Sequence, residues 1–96
     1  MEERKLIPAS EFCIHHQVEI GFIHSLQEYG LIEIISEQGN DYLDEEKLNE
    51  LEKMVRLHDE LHVNMEGIDV ALHLLEQLET TQKELSRLRD QLKFYI

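Results

Sequence analysis

Two imidazoles stand four residues apart in His58-Asp59-Glu60-Leu61-His62. On a helix that spacing brings both rings to one face, where their nitrogens could bind zinc. A hydrolytic zinc centre also needs a glutamate directly after the first histidine, long enough to reach the metal-bound water. Asp59 occupies that place, one methylene short, and the sequence supplies neither a third ligand nor a substrate cleft. The pair therefore reads as a capacity for adventitious metal, with a metal-binding protein using His58 and His62 kept as a third hypothesis. His15-His16 reads as a polar helix end. Cys13, the sole cysteine, excludes an intrachain disulfide, fits a reducing compartment, and reads as a small buried apolar residue. No Ser-His-Asp pattern and no phosphate-cradling glycine loop occurs. No catalytic, cofactor-binding or metal-ligating residue is assigned, and the expected function is not enzymatic.

Charge is the stronger signal. Residues 6–46 read as a small helix-turn-helix with a wing, yet hold no Lys or Arg and nine Asp and Glu. DNA readers of that shape need cations on the recognition helix and wing, because phosphate contacts supply most of the affinity. Here the second helix offers Glu19, His24, Gln27 and Glu28, and the wing Glu33, Glu37 and Asp41. Lys83, Arg87, Arg89 and Lys93 lie further on, among acids. With 9 basic against 21 acidic residues in 96, the formal charge is −12, which repels nucleic acid and anionic membrane and favours a basic partner surface. Direct nucleic-acid binding is not expected. No uninterrupted apolar run is long enough to span a bilayer, and the charged N-terminal residues do not form a secretory signal.

The positioning elements follow from local pattern. After a frayed lead at residues 1–5, Leu6-Ile7 can extend before Pro8, and Ser10 offers an N-cap for a short helix at 11–16 with Phe12 and Cys13 inward. Gln17-Val18 turns the chain into a second helix at 19–29, with Ile20, Ile23 and Leu26 on one face, ended by Gly30. Residues 31–35 are β-rich, Gly39-Asn40 supplies a turn, and Tyr42-Leu43 returns as the second wing strand. Asp44 caps a third helix at 45–62 with Leu48, Leu51, Val55 and Leu61 as its buried stripe.

Asn64 caps a fourth helix, which can run from Met65 almost to Ile96, roughly 45 Å. Its early Ile68, Leu72 and Leu75 suit packing on the N-terminal part. A 3-4 repeat then continues through Ala71, Leu74, Leu78, Thr81, Leu85, Leu88, Leu92 and Tyr95. Such a seam wants another helix, and a two-fold homodimer through Leu74, Leu78, Leu85, Leu88 and Leu92 is the economical answer. In a parallel pair Glu84 and Arg89 would face each other across chains; parallel and antiparallel pairing both satisfy the repeat. The expected organisation is a helix-turn-helix domain with its third helix over 1–63 and a dimerisation helix over 64–96. The fold class is mainly α, a winged helix-turn-helix with a small β-hairpin wing and a long C-terminal, coiled-coil helix.

Residues 9–68 resemble the N-terminal winged-helix half of MerR-type regulators. Phe12-Cys13, Val18, Ile23, Tyr29-Gly30-Leu31, Tyr42-Leu43-Asp44 and the run from Val63 to Ile68 carry the likeness. MerR proteins place Arg in the second helix and in the wing, where this sequence has His24 and Asp41, and these departures argue against promoter binding. The chain is more similar to the CbpM family of chaperone modulators, small acidic relatives of MerR proteins. Glu11-Phe12-Cys13 with His15, Gly30-Leu31, Arg56-Leu57-His58-Asp59-Glu60-Leu61 and Gly67-Ile68-Asp69-Val70-Ala71-Leu72 support that match, which covers nearly the whole chain. The resemblance implies a cytoplasmic bacterial protein that binds the J-domain of a CbpA/DnaJ-like co-chaperone and curbs both its co-chaperone and its DNA-binding activity. On that reading Glu19, Glu28, Glu33 and Asp41 meet the basic helix of the J-domain, and Ile20 and Phe22 form the desolvated centre. A MerR-like transcription regulator is the alternative. The helix-turn-helix, the wing and the long tail all remain open as the binding face.

Overall fold

The computed structural model describes residues 4–95, so the expectations for Met1, Glu2, Glu3 and Ile96 fall outside the described residues. The chain divides into two compact units, Met1–Met65 and Glu66–Ile96.

In the first unit, strand β1 (Leu6–Pro8) runs directly into helix α1 (Ala9–His16). Pro8, at φ −57° and ψ 131°, stands at the cap position and no side chain caps the helix. Ser10 is thus the second helical residue, and the helix starts two residues earlier than expected, directly after Pro8. Helix α2 (Ile20–Glu28) follows, with Glu19 extended just before it rather than forming its first residue.

Helices α1 and α2 end by one device. Val18 N–H donates to the Cys13 carbonyl (2.9 Å) and Gln17 N–H to that of Ile14 (3.4 Å), with Gln17 left-handed at φ 56°. Leu31 N–H likewise donates to Leu26 and Gly30 N–H to Gln27, both at 2.9 Å, with Gly30 at φ 75°. These paired six-to-one and five-to-two bonds satisfy the last carbonyls of each helix. Gly30 meets the requirement at no steric cost, whereas Gln17 adopts it as a non-glycine residue.

The expected strand over 31–35 is shorter and later: β2 spans Ile35–Glu37. The turn that follows uses Gln38 and Gly39, at φ 51° and 78°, and Asn40 already belongs to strand β3 (Asn40–Asp44). Two central residues of positive φ match the right-handed twist of the paired strands, as a two-residue hairpin requires. β3 is the centre of a three-stranded antiparallel sheet in the order β1-β3-β2. Its register pairs Ile7 with Leu43 on one side and Ser36 with Asp41 on the other.

Asp44 then caps as expected, its Oδ1 accepting from Glu46 N–H at 3.0 Å, but the turn it opens is 3-10 helical (Glu45–Lys47). Helix α3 (Leu48–Leu61) begins only after that turn. The core of this unit is Ala9, Phe12, Ile23, Leu26, Leu43, Leu51, Met54 and Val55, all less than a tenth exposed. Met54 replaces Leu61 in the expected stripe. Leu61 is 67% exposed, because His62 at φ 55° turns the chain and Val63 N–H reaches back to the Leu57 carbonyl.

In the second unit helix α4 (Met65–Lys93) is about 43 Å long, with Ile68 fully buried and its residues from His73 onward exposed.

Candidate protein-interaction surface

Asp41 sits on β3, half-buried, and accepts from Ser36 Oγ at 2.9 Å across the hairpin. Its other oxygen lies 3.3 Å from Nε2 of His24 on α2. The wing is therefore tied to the second helix of the helix-turn-helix through one carboxylate. His24 and Asp41 are the two residues that the resemblance to MerR proteins sets against that family's arginines. In this chain they bond to each other.

The acids singled out by sequence have different surroundings. Glu19 precedes α2 and Glu28 is its last residue, and both are exposed. A carboxylate at Glu19 suits the positive end of the α2 dipole, although it makes no capping hydrogen bond. Glu33 is also exposed but faces Arg4, whose Nη2 lies 3.4 Å from Glu33 Oε2. Arg4 Nε is in turn 3.3 Å from Asp44 Oδ2. Glu33 first and Asp44 after it raise the Arg4 pKa above its ordinary value. Arg4 therefore spans the loop after α2 and the end of β3.

The two apolar candidates also differ. Ile20 is 45% exposed, at the first residue of α2. Phe22 is half-buried and stacks on the His58 ring, centroids 4.4 Å apart and 23° from parallel, joining α2 to α3. Ile14, which sequence reasoning passed over, is the most exposed large apolar residue among the described residues of this unit at 78%. Its signal was its place on α1, off the helical face that buries Ala9 and Phe12.

His58 and His62 do not share a helix face. α3 ends at Leu61, and the left-handed His62 leaves the helical path. His58 is committed to the Phe22 stack, with Nδ1 3.5 Å from the Val63 carbonyl. Among the described residues no three His, Cys, Asp or Glu side chains are grouped so as to hold a metal ion. Cys13 is partly buried, and desolvation pushes its thiol pKa up, away from the thiolate a nucleophile needs.

On α4 the seam leucines Leu74, Leu78, Leu85, Leu88 and Leu92 are 47–59% exposed. Glu84 pairs with Arg87 one turn on in its own helix, which holds its carboxyl below the usual range. No helix among the described residues is long and apolar enough to cross a membrane.

Residues 7–90 match the family described as MerR HTH family regulatory protein. The chaperone modulatory protein CbpM of Pseudomonas entomophila (strain L48) is 28% identical over 81 residues, covering 83% of this chain and 80% of that protein. No solved structure matches the chain. With a three-stranded sheet beside its helix-turn-helix and a long terminal helix, the chain belongs to the MerR HTH family of regulatory proteins, as a relative of the CbpM type.

Proposed function

We propose that this protein is a cytoplasmic chaperone modulator that binds the J-domain of a CbpA/DnaJ-like co-chaperone. Binding curbs the co-chaperone's activity and its attachment to DNA. The observation that carries this is the absence of any Lys or Arg from residues 6–46, in a chain similar to a chaperone modulatory protein. A helix-turn-helix surface of that charge attracts a cationic protein helix and repels phosphate. Glu19 just before α2 and Glu28 at its end steer the partner, Glu33 adds charge from the loop after α2, and Ile20 with Phe22 provides apolar contact. Asp41 acts chiefly by holding the wing against α2. The active species is a homodimer joined through Leu74, Leu78, Leu85, Leu88 and Leu92.

The test is titration of the purified full chain with a co-chaperone J-domain at low and at moderate salt. Saturable binding that weakens as the Debye length falls below about 10 Å supports the reading. No binding at either salt overturns it. The family match also supports a second reading, a MerR-like transcription regulator. Sequence-selective retention of duplex DNA at physiological salt would establish that one instead.

A further inference from the structure

A cavity of about 290 Å³ opens between the turn at residues 30–33, the end of β3 and the start of α3. We propose that it docks a helical segment of a basic partner protein. A large apolar side chain of that segment enters the cavity, and a neighbouring Arg or Lys displaces Arg4 from between Glu33 and Asp44. This rests on the reading above of a cationic J-domain partner and names the site and the contact that gates it.

The volume lies at the small end of ligand pockets, roughly 300–1,000 Å³, and suits one bulky side chain better than a metabolite. Leu43, Leu51 and Met54 form a buried floor. Leu31, Ile32 and Leu48 are half-buried at the mouth, so an incoming apolar group meets these side chains above the floor. Interface hot spots have this form, an apolar anchor in a desolvated pocket inside a polar rim. Three carboxylates, Glu33, Asp44 and Glu50, stand on the rim against two cations, Arg4 and Lys47.

Arg4 makes the choice of occupant specific. It shows that a guanidinium fits between Glu33 and Asp44, two acids on different segments bordering one mouth. Its contacts are 3.3 and 3.4 Å, longer than a tight charge-assisted bond, and its side chain is 53% exposed. The Arg4–Glu33 pair, exposed on both sides, is weak and exchangeable, whereas Asp44 is only 12% exposed and forms the inner end of the cation's seat. Asp44 keeps its bond to Glu46 N–H whichever cation is present, so the acceptor stays oriented after exchange. Arg4 is thus an intrachain competitor for the partner's cation.

The test uses the full chain with two probes. One is the J-domain of a DnaJ-like co-chaperone. The other is a helical peptide with Leu and Arg one turn apart, which owes nothing to the J-domain reading. Arg4→Ala is expected to tighten binding by about two- to fivefold at low ionic strength, with the gain shrinking as salt rises. Ile32→Trp plugs the mouth and is expected to weaken binding at least about tenfold; Leu48→Trp is the second plug should the first fold poorly. If the peptide shows this pattern and the J-domain does not bind, the pocket stands and the J-domain reading falls. If the J-domain binds but neither substitution changes its affinity, the pocket proposal falls alone. If neither probe binds, both fall.

Discussion

Leu85→Glu tests the seam on α4 directly. The five seam leucines are 47–59% exposed. Complete burial of a leucine side chain is worth about 1.5–3 kcal/mol, so covering the exposed half gives about 1 kcal/mol each. Two copies bring ten such side chains together, roughly 10 kcal/mol before association costs of about 4–15 kcal/mol. These figures are of the same size, so the equilibrium is poised and a single charge in the seam decides it. Leu85→Glu forfeits about 1 kcal/mol of burial per chain and places a carboxylate where it loses water without gaining a partner, costing several kcal/mol more. Sedimentation equilibrium from about 1 µM to about 1 mM covers association energies of about 8.2 down to 4.1 kcal/mol. The expected result is a dimer for the natural sequence, a monomer for Leu85→Glu, and near-natural behaviour for the volume-conserving Leu85→Met. A natural chain that stays monomeric throughout, or a dimer indifferent to Leu85→Glu, would refute the seam.

Four further outcomes follow from the fold. Ile23→Ala empties a fully buried site in α2 and is expected to cost about 2–5 kcal/mol in chemical denaturation, enough to unfold much of a unit this small. Gly39→Val is expected to cost about 1–2 kcal/mol and speed amide exchange in β2 and β3, purely through its φ of 78°, since a Cβ there meets nothing within 4 Å. Gly21→Ala, in a helix and equally unobstructed, should instead stabilise by about 0.5–1 kcal/mol. The His73 pKa is raised by the Asp69 backbone carbonyl, then by the charges of Asp69 and Glu76. Its contribution to α4 is therefore fully present below the ordinary value of 6.5 and lost as pH rises through the higher folded value. An NMR titration with its midpoint at or below 6.5 would contradict this.

Much of the fold could be read from residue pattern, and the misses share a cause. Gly30 announced the end of α2 because only a left-handed residue continues the chain there. Gln17 and His62 adopt the same backbone region without any such signature, so the boundary after His16 was legible only as a turn and the end of α3 was placed one residue late. That residue decided the fate of Leu61 and of the two-histidine motif, both of which needed the helix to continue. Pro8 keeps Leu6-Ile7 extended, as expected, but it rather than Ser10 stands at the cap of α1. The candidate surface was legible as charge and illegible as pairing. Asp41 and Glu33 are ordinary acids in the sequence, and only long-range folding brings His24 to one and Arg4 to the other.

That pairing separates what the acids can do. Glu19 and Glu28 are exposed and make no ion pair among the described residues, whereas Asp41 accepts from Ser36 and lies against His24. Exposed charges act at a distance, raising the encounter rate and fading with salt. Glu28→Lys should therefore slow association with a J-domain several-fold at low ionic strength while leaving dissociation nearly unchanged. Asp41→Ala removes a brace between β3 and α2, so its effect should appear as faster dissociation that persists at high salt, with faster amide exchange in the hairpin. Stopped-flow association and dissociation measured at two ionic strengths distinguish the two. If Asp41→Ala reproduced the purely associative, salt-sensitive signature of Glu28→Lys, Asp41 would be a steering charge and the brace seen between His24 and Ser36 would carry no functional weight.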